Sequence, residues 1–188
     1  IKEIYKGPQL CDKMKRNIAT FQSHYVPFRG QPYKMTYADK LTLDIQEFTE
    51  FKFGPNVLTH VLPHFERPDI ILCFDEDGKP VTSDIISKYA ERKSHTGEIY
   101  SKEFVLSQVP AFADKIDKLT MVAVVVGGWN FFLRDTMKPT GLLRMKLEQL
   151  EMIGYKPVLI HFNQWNAASI QDKEELLVGK INAIIKTV

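Results

Sequence analysis

The chain has 188 residues, of which 44% are hydrophobic and 26% are charged, and its formal net charge at pH 7 is +2. These values are ordinary for a folded globular protein, and they exclude a disordered tail or a low-complexity chain. The longest uninterrupted apolar run, Met121 to Val126, is far shorter than the roughly 20 residues that cross a bilayer, so we expect a soluble protein with no membrane span.

Residues 1–35 are predicted to be the end of a preceding domain. They contain a short helical segment, residues 10–22, followed by Pro27 and Pro32, and prolines interrupt regular structure. Because the chain begins at Ile1 rather than at a methionine, we expect an internal fragment whose targeting peptide, if one exists, lies upstream.

An amphipathic helix is predicted over residues 36–51. Leu41, Ile45 and Phe48 recur at helical spacing among charged residues, and the pair Gly54-Pro55 follows. Glycine and proline at this point end the helix.

Two strands are predicted next, over residues 56–62 and 68–74. The second is an apolar run that leads into the turn signal Asp75-Glu-Asp-Gly-Lys79, so we expect the two strands to pair antiparallel. Asp75 and Asp77 are expected to serve the turn itself.

Residues 80–118 are mixed and polar, and they are predicted to form an excursion from the sheet. Helices are expected over residues 84–92 and 104–114, with Pro110 interrupting the second one.

The last third of the chain has the clearest pattern. A buried strand starts at Met121, a helix over residues 140–153 stops at Gly154, a second buried strand covers residues 157–162, and Ser169 with Asp172 opens a final helix.

The predicted order is therefore helix, strand, strand, excursion, strand, helix, strand, helix. The final strand–helix–strand unit has room for a crossover, which would be parallel and right-handed. We predict an α/β sandwich around a mixed sheet of about four strands.

Cysteines and charges add modest expectations. Cys11 and Cys73 are far apart and lack the spacing of a zinc site, which predicts free thiols in a reducing compartment. Residues 1–34 hold seven Lys/Arg against two acids, and residues 134–146 hold four Lys/Arg against Asp135. Each basic patch is either a solvated face or a contact for phosphates.

The end of the chain resembles a known domain. The segment Gly141-Leu-Leu-Arg-Met-Lys-Leu-Glu-Gln-Leu-Glu-Met-Ile-Gly-Tyr-Lys-Pro-Val-Leu-Ile-His-Phe-Asn-Gln-Trp165 is similar to the RAP domain, with its basic helix, Leu-Glu pair, Gly-Tyr, apolar strand and closing Trp. Upstream, Pro68-Asp-Ile-Ile-Leu-Cys-Phe-Asp-Glu-Asp-Gly-Lys-Pro80 resembles the segment that precedes this pattern in the FAST kinase domain family of mitochondrial RNA regulators. No kinase glycine loop, HRD or DFG motif accompanies it.

This resemblance implies domain limits and a fold. Residues 1–35 would end the preceding FAST-type region, residues 36–188 would form a nuclease-like α/β domain, and the RAP domain would cover about residues 119–188. The implied fold is similar to that of PD-(D/E)XK nucleases of the very-short-patch repair type, and the order of elements read from the periodicity agrees with it.

In such nucleases, two acids on neighbouring strands hold the divalent cation that activates water. Asp69 corresponds to the first acid. The second would fall near Val125 or Gly127, neither of which can bind a cation. Unless Asp75, Asp77 or Glu148 reaches the site, we expect Asp69 to be vestigial or to pair with a cation.

The residues expected to contact RNA lie after the strand that starts at Met121. They are Trp129, Asn130, Arg134, Lys138, Arg144 and Lys146. Trp129 either fills a gap in the core or stacks on a base. Trp165 is expected in the core, and His161 is expected to be a structural histidine of an apolar strand.

The resemblance implies a mitochondrial matrix protein domain that binds RNA and acts in RNA processing and mRNA stability, with no cofactor. Two alternatives remain at this point. One is a metal-dependent RNA endonuclease, which would need Mg²⁺ or Mn²⁺, and the other is a protein-interaction module that recruits RNA-processing enzymes.

Overall fold

A computed structural model describes residues 26–31, 34–90, 99–134 and 136–186 of the chain. The centre of this part is a four-stranded mixed sheet with the spatial order β1-β2-β3-β4. The strands are β1 (Val57–Thr59), β2 (Asp69–Phe74), β3 (Thr120–Gly127) and β4 (Tyr155–His161).

Both kinds of strand pairing occur in this sheet. β1 pairs antiparallel with β2, and β2 pairs antiparallel with β3, with Ile70 opposite Val124. β3 and β4 run parallel, from Met121 opposite Tyr155 to Gly127 opposite His161. The predicted α/β class, the mixed sheet of about four strands and the parallel final unit are confirmed.

Six helices are described. They are α1 (Tyr37–Phe53), α2 (Ile86–Ala90), α3 (Lys102–Ser107), α4 (Gly141–Met152), α5 (Phe162–Ala167) and α6 (Ile170–Ile185). Short 3₁₀ turns cover Thr82–Asp84, Ala113–Lys118 and Trp129–Phe131.

The longest helices begin where side chains cap them. Thr36 with Asp39 forms a capping box at the start of α1, and Ser169 with Asp172 forms another at the start of α6. Each box satisfies backbone N–H groups that a first helical turn leaves unpaired. The predicted opening of the final helix at Ser169 and Asp172 is thereby confirmed.

The sheet divides the core into two apolar layers, because successive strand residues point to opposite faces. One layer contains Ile71, Cys73, Met121, Ala123 and Val125 together with residues of α2, α3 and α4. The other contains Ile70, Leu72, Val122, Val124 and Val158 together with residues of α1, α5 and α6. The domain is thus a sheet covered by helices on both faces.

Strand β4 lies at one end of the described sheet. Pro157 occupies its middle, and Lys180 of α6 donates a hydrogen bond from Nζ to the carbonyl of Leu159 at 2.8 Å. The backbone groups of residues 157 and 159 point to the same edge of the strand, because these residues are two positions apart. The edge that lacks an N–H at Pro157 is therefore also the edge at which Lys180 binds.

Some sequence predictions require adjustment. The helix expected over residues 104–114 is α3, which ends at Ser107 before Pro110, and a separate 3₁₀ segment follows. The strand expected over residues 56–62 is only the three-residue β1. Helix α5 was not predicted. The expected helix over residues 10–22, together with Cys11 and Asp135, lies outside the described residues.

Among the helices of the described segments, none is both long enough and apolar enough to cross a membrane.

Candidate nucleic-acid interface at the ends of strands β3 and β4

The parallel strands β3 and β4 end side by side, with Gly127 opposite His161. In open α/β sheets, ligands commonly bind outside the carboxyl ends of the strands. The chain leaves β3 through Gly128 and the 3₁₀ turn Trp129–Phe131, and it leaves β4 directly into α5.

The two glycines at the end of β3 have different surroundings. A Cβ atom added to Gly127 would lie 2.7 Å from two ring carbons of Phe132, whereas one added to Gly128 would meet nothing within 4 Å. Gly127 therefore makes room for the Phe132 ring, which is buried and lies 3.7 Å, centroid to centroid, from the His161 ring.

A short loop follows Phe132 and returns at Pro139. Phe132 and Pro139 form an isolated antiparallel bridge. Within this loop the Leu133 N–H donates to the Lys138 carbonyl at 2.9 Å, and the Thr136 N–H donates to the Leu133 carbonyl at 3.1 Å. The loop presents Arg134 and Lys138, both of which are exposed.

This loop and the ends of the two strands enclose a solvent-open cavity of about 800 Å³, which is within the range of roughly 300 to 1,000 Å³ typical of small-molecule sites. The lining side chains are aromatic, amide, apolar and basic: Trp129, Asn130, Phe132, Leu133, Arg134, Thr136, Met137, His161, Phe162 and Asn163.

Of the large hydrophobic residues that line the cavity, Trp129 is the most exposed, with 71% of its surface accessible. It therefore does not fill a gap in the core. It also lines a second cavity of about 170 Å³, together with Asn130, Tyr37 and Arg67. The indole thus stands between two neighbouring cavities.

His161 is buried at 4% exposure, and its two ring nitrogens differ. The Nδ1 atom accepts a hydrogen bond from the backbone N–H of Asn163 at 3.1 Å, so in the neutral ring the proton must be on Nε2. Burial, and to a smaller extent the charge of Lys180, lower the pKa of His161 below 6.5, which favours the neutral ring. Nε2 is buried and has no hydrogen-bond partner among the described residues.

Asp69 is paired with a cation, as one of the two sequence readings expected. Its Oδ1 lies 2.6 Å from Nζ of Lys146, and the side chains are 1% and 3% exposed. Lys146 also donates to the carbonyl of Arg67 at 2.7 Å. Burial raises the pKa of Asp69 above 3.8, and this effect outweighs the opposing influence of Lys146.

The surroundings of Asp69 do not suit a divalent cation. By continuation of the register, Asp69 lies beside Val125, which is on the same face of the sheet and buried. The charged partner that the structure shows for Asp69 is a lysine, and no group of three or more potential metal ligands occurs among the described residues. Mg²⁺ and Mn²⁺ bind carboxylate oxygens together with waters. The Asp69 carboxylate is buried and paired with Lys146, so this donor set does not fit either cation.

The other acids named from the sequence lie elsewhere. Asp75 follows the far end of β2, and its Oδ1 accepts from the N–H groups of Asp77 and Lys79 at 3.1 and 2.8 Å. The turn role predicted for Asp75 is confirmed. Glu148 is an exposed residue of α4.

The predicted RNA-contact residues fall into three groups. Trp129, Asn130 and Arg134 line the cavity, and Lys138 and Arg144 are exposed on the adjoining loop and on α4. Lys146 is separate from them, because its charge is buried and paired with Asp69.

Sequence reasoning did not assign Phe132, Met137, His161, Phe162 or Asn163 to this site. The signal that could have found some of them was the register, since parallel strands that end together bring the residues after Gly127 and after Ile160 into one place. Trp165, by contrast, was expected in the core and is fully buried there.

Comparisons with protein-family models, with curated proteins and with solved structures found no significant match to this chain.

Proposed function

We propose that this domain binds single-stranded RNA at the ends of β3 and β4 and does not cleave it. The observation that carries the proposal is the exposed Trp129 indole in the lining of the cavity, to which Arg134 also contributes. In line with the family resemblance, the proposed role is in the processing and stability of mitochondrial RNA in the matrix.

Stacking and charge would supply the binding free energy. An exposed aromatic ring that stacks on a base contributes about 1–3 kcal/mol and tolerates any base. Arg134, Lys138 and Arg144 are exposed near one another along the chain, and cations of this kind neutralise phosphates and release counterions. Affinity should therefore fall as the salt concentration rises.

The state of Asp69 supports the proposal that the domain does not cleave RNA. Its carboxylate is buried against Lys146 rather than beside a second acid, an arrangement that does not favour a metal-activated water. The endonuclease alternative remains one outcome of the experiment below.

The test is to incubate the purified chain with mitochondrial transcripts, with and without Mg²⁺ or Mn²⁺, and to score retention and cutting separately. We expect retention that weakens with salt, and no cutting. Metal-stimulated cutting that Asp69→Ala abolishes would establish the endonuclease instead.

A matched pair of charge-reversal variants makes the test specific. One variant changes Arg134, Lys138 and Arg144 to Glu. The control changes Lys79, Lys115 and Lys186 to Glu, which alters the net charge equally at exposed positions. Weaker RNA retention is expected in the first variant and not in the control.

The protein-interaction alternative has one observation in its favour, because Leu133 and Met137, which line the cavity, are 50% and 53% exposed. If RNA retention is the same in both charge variants, RNA does not bind here. Loss of a bound RNA-processing protein from the variant Leu133→Ser, with RNA retention unchanged, would support that alternative.

A further inference from the structure

The cavity at the ends of β3 and β4 contains an unused hydrogen-bond donor. As described above, Nδ1 of His161 is occupied by the Asn163 N–H, so the ring proton is on Nε2, which has no partner among the described residues. A buried donor without a partner costs about 1–3 kcal/mol relative to a satisfied one. Such a group is retained more readily where a ligand completes it.

The rest of the lining indicates what that ligand would be. The rings of Phe132 and Phe162 lie 3.7 and 5.0 Å, centroid to centroid, from that of His161. Trp129 lines the same cavity, and the amides of Asn130 and Asn163 add polar groups that can donate or accept. This combination suits a flat ring that carries acceptor atoms at its edge. Arg134, which also lines the cavity, suits a phosphate of the nucleotide that carries the ring.

We propose that the cavity receives one unstacked RNA base, and that an acceptor atom of this base binds the Nε2–H of His161. This inference rests on the proposed function. It adds a base-recognition site to a surface that otherwise binds RNA through charge. Every RNA base has a ring nitrogen or a carbonyl oxygen that can accept this bond, so the site distinguishes a base from its absence rather than one base from another.

A small rearrangement accompanies base entry. Nε2 has less than 1 Å² of accessible surface, so the base must displace a lining side chain to reach it. Phe132 is the nearest ring, at 3.7 Å between centroids. The same movement exposes one face of Phe132 to stack on the incoming base.

Two substitutions separate the two nitrogens of His161. Asparagine is a good helix N-cap and can accept the Asn163 N–H in place of Nδ1, but its side chain is too short to place a donor at Nε2. Glutamine is one methylene longer and can place its amide N–H near the Nε2 position. His161→Asn therefore keeps the cap and loses the donor, while His161→Gln keeps the donor.

The experiment compares a short oligouridylate with an abasic RNA of equal length for wild type, His161→Asn and His161→Gln. We expect wild type to bind the oligouridylate more tightly than the abasic RNA. His161→Asn should bind the oligouridylate about threefold to tenfold more weakly, the loss expected for one neutral hydrogen bond, with no change on the abasic RNA. His161→Gln should bind closer to wild type.

The other outcomes would overturn either base recognition alone or RNA binding as well. Equal binding of both RNAs by wild type, or an equal loss on both RNAs in His161→Asn, would overturn base recognition while the RNA-binding function stands. No binding of either RNA would overturn both. As a measurement that needs no variant, the Nε2–H proton of His161, followed by ¹⁵N NMR, should exchange more slowly with water when the oligouridylate is bound. An unchanged exchange rate would also overturn the inference.

Discussion

Gly127 and Gly128 are adjacent, yet the structure requires only one of them. Both follow the apolar residues of β3 and precede Trp129. Gly127 is needed because the Phe132 ring fills the space of a Cβ atom, whereas Gly128 has open space around it. Such a contact depends on where a loop returns, so spacing along the chain could not reveal it.

Gly127→Ala should lower the free energy of unfolding by about 1–3 kcal/mol, because the added methyl group forces the packed Phe132 ring to move. The matched control is Gly128→Ala, which should change it by less than about 0.5 kcal/mol. Urea unfolding followed by circular dichroism measures both values. Equal effects of the two substitutions would contradict the assigned role of Gly127.

The buried ion pair of Asp69 and Lys146 is a second feature at the scale of single residues. Lys146→Met should lower the free energy of unfolding by about 3–5 kcal/mol, because it leaves Asp69 buried without its cation. Arg144→Met, on the same helix but exposed, should change it by less than about 0.5 kcal/mol. In the double variant Asp69→Asn/Lys146→Met, stability should partly return. If it does not, packing rather than charge explains the loss.

Cys73 is expected to be chemically inert in the folded protein. Burial raises the pKa of its thiol to about 12, and only the thiolate reacts readily. In a Cys11→Ser variant, where Cys73 is the remaining thiol, Ellman's reagent should react only after denaturant is added. Rapid reaction without denaturant would mean that Cys73 is accessible.

Position along the chain indicated which residues belong to the site, whereas the sign of a side chain's charge did not. Trp129, Asn130 and Arg134 were expected at a site because they follow a buried strand, and they line the cavity. Lys146 has the same charge as Lys138, but its place on the inner face of α4 pairs it with Asp69. The sequence pattern does not distinguish an exposed lysine from one that neutralises a buried acid.

At the scale of elements, periodicity predicted the long ones and missed the short ones. α4 and α6 were found because their apolar residues recur over several turns and Ser169 opens a capping box. α5 has six residues, which is too short for periodicity to identify. It is held instead by a long-range contact, in which Trp165 Nε1 donates to Asp44 Oδ2 of α1 at 2.6 Å.

That contact gives an element-scale prediction. Asp44→Ala should lower the free energy of unfolding by about 1–3 kcal/mol, since Trp165 loses the acceptor of its indole N–H. Glu47→Ala is the matched control on α1, because its ion pair with Arg29 is exposed and should contribute less than about 1 kcal/mol. Thermal unfolding compares the two, and a larger effect of Glu47→Ala would contradict the assignment.

For the molecule as a whole, the sequence was sufficient for the class and for the order of the strands and long helices, and the sheet is four-stranded and mixed as expected. The likeness to a nuclease fold is more specific than the α/β class, and it stays a prediction. It rests on the segments around Asp69 and Gly141, whereas the class rests on the amphipathic patterns of whole helices and strands, which burial of a core imposes.

The contribution of two histidines to the stability of the domain should fall in mild acid. Burial lowers the pKa of His64 and His161 below 6.5, so the unfolded chain takes up these protons first. Their contribution is complete above pH 6.5 and is lost as the pH falls from there through the folded-state pKa values. His161→Asn should show a shallower loss between neutral and mildly acidic pH in urea titrations. A slope equal to that of wild type would remove His161 from this explanation.

The outer side of β4 has a consequence for self-association. A second chain could extend a sheet only by pairing with free backbone groups along its rim, and here Pro157 offers no donor while Lys180 already holds the Leu159 carbonyl. Proteins avoid filament growth by such means. Replacing both Pro157 and Lys180 would leave this rim open to strand addition, and concentrated solutions would then be prone to ordered aggregates.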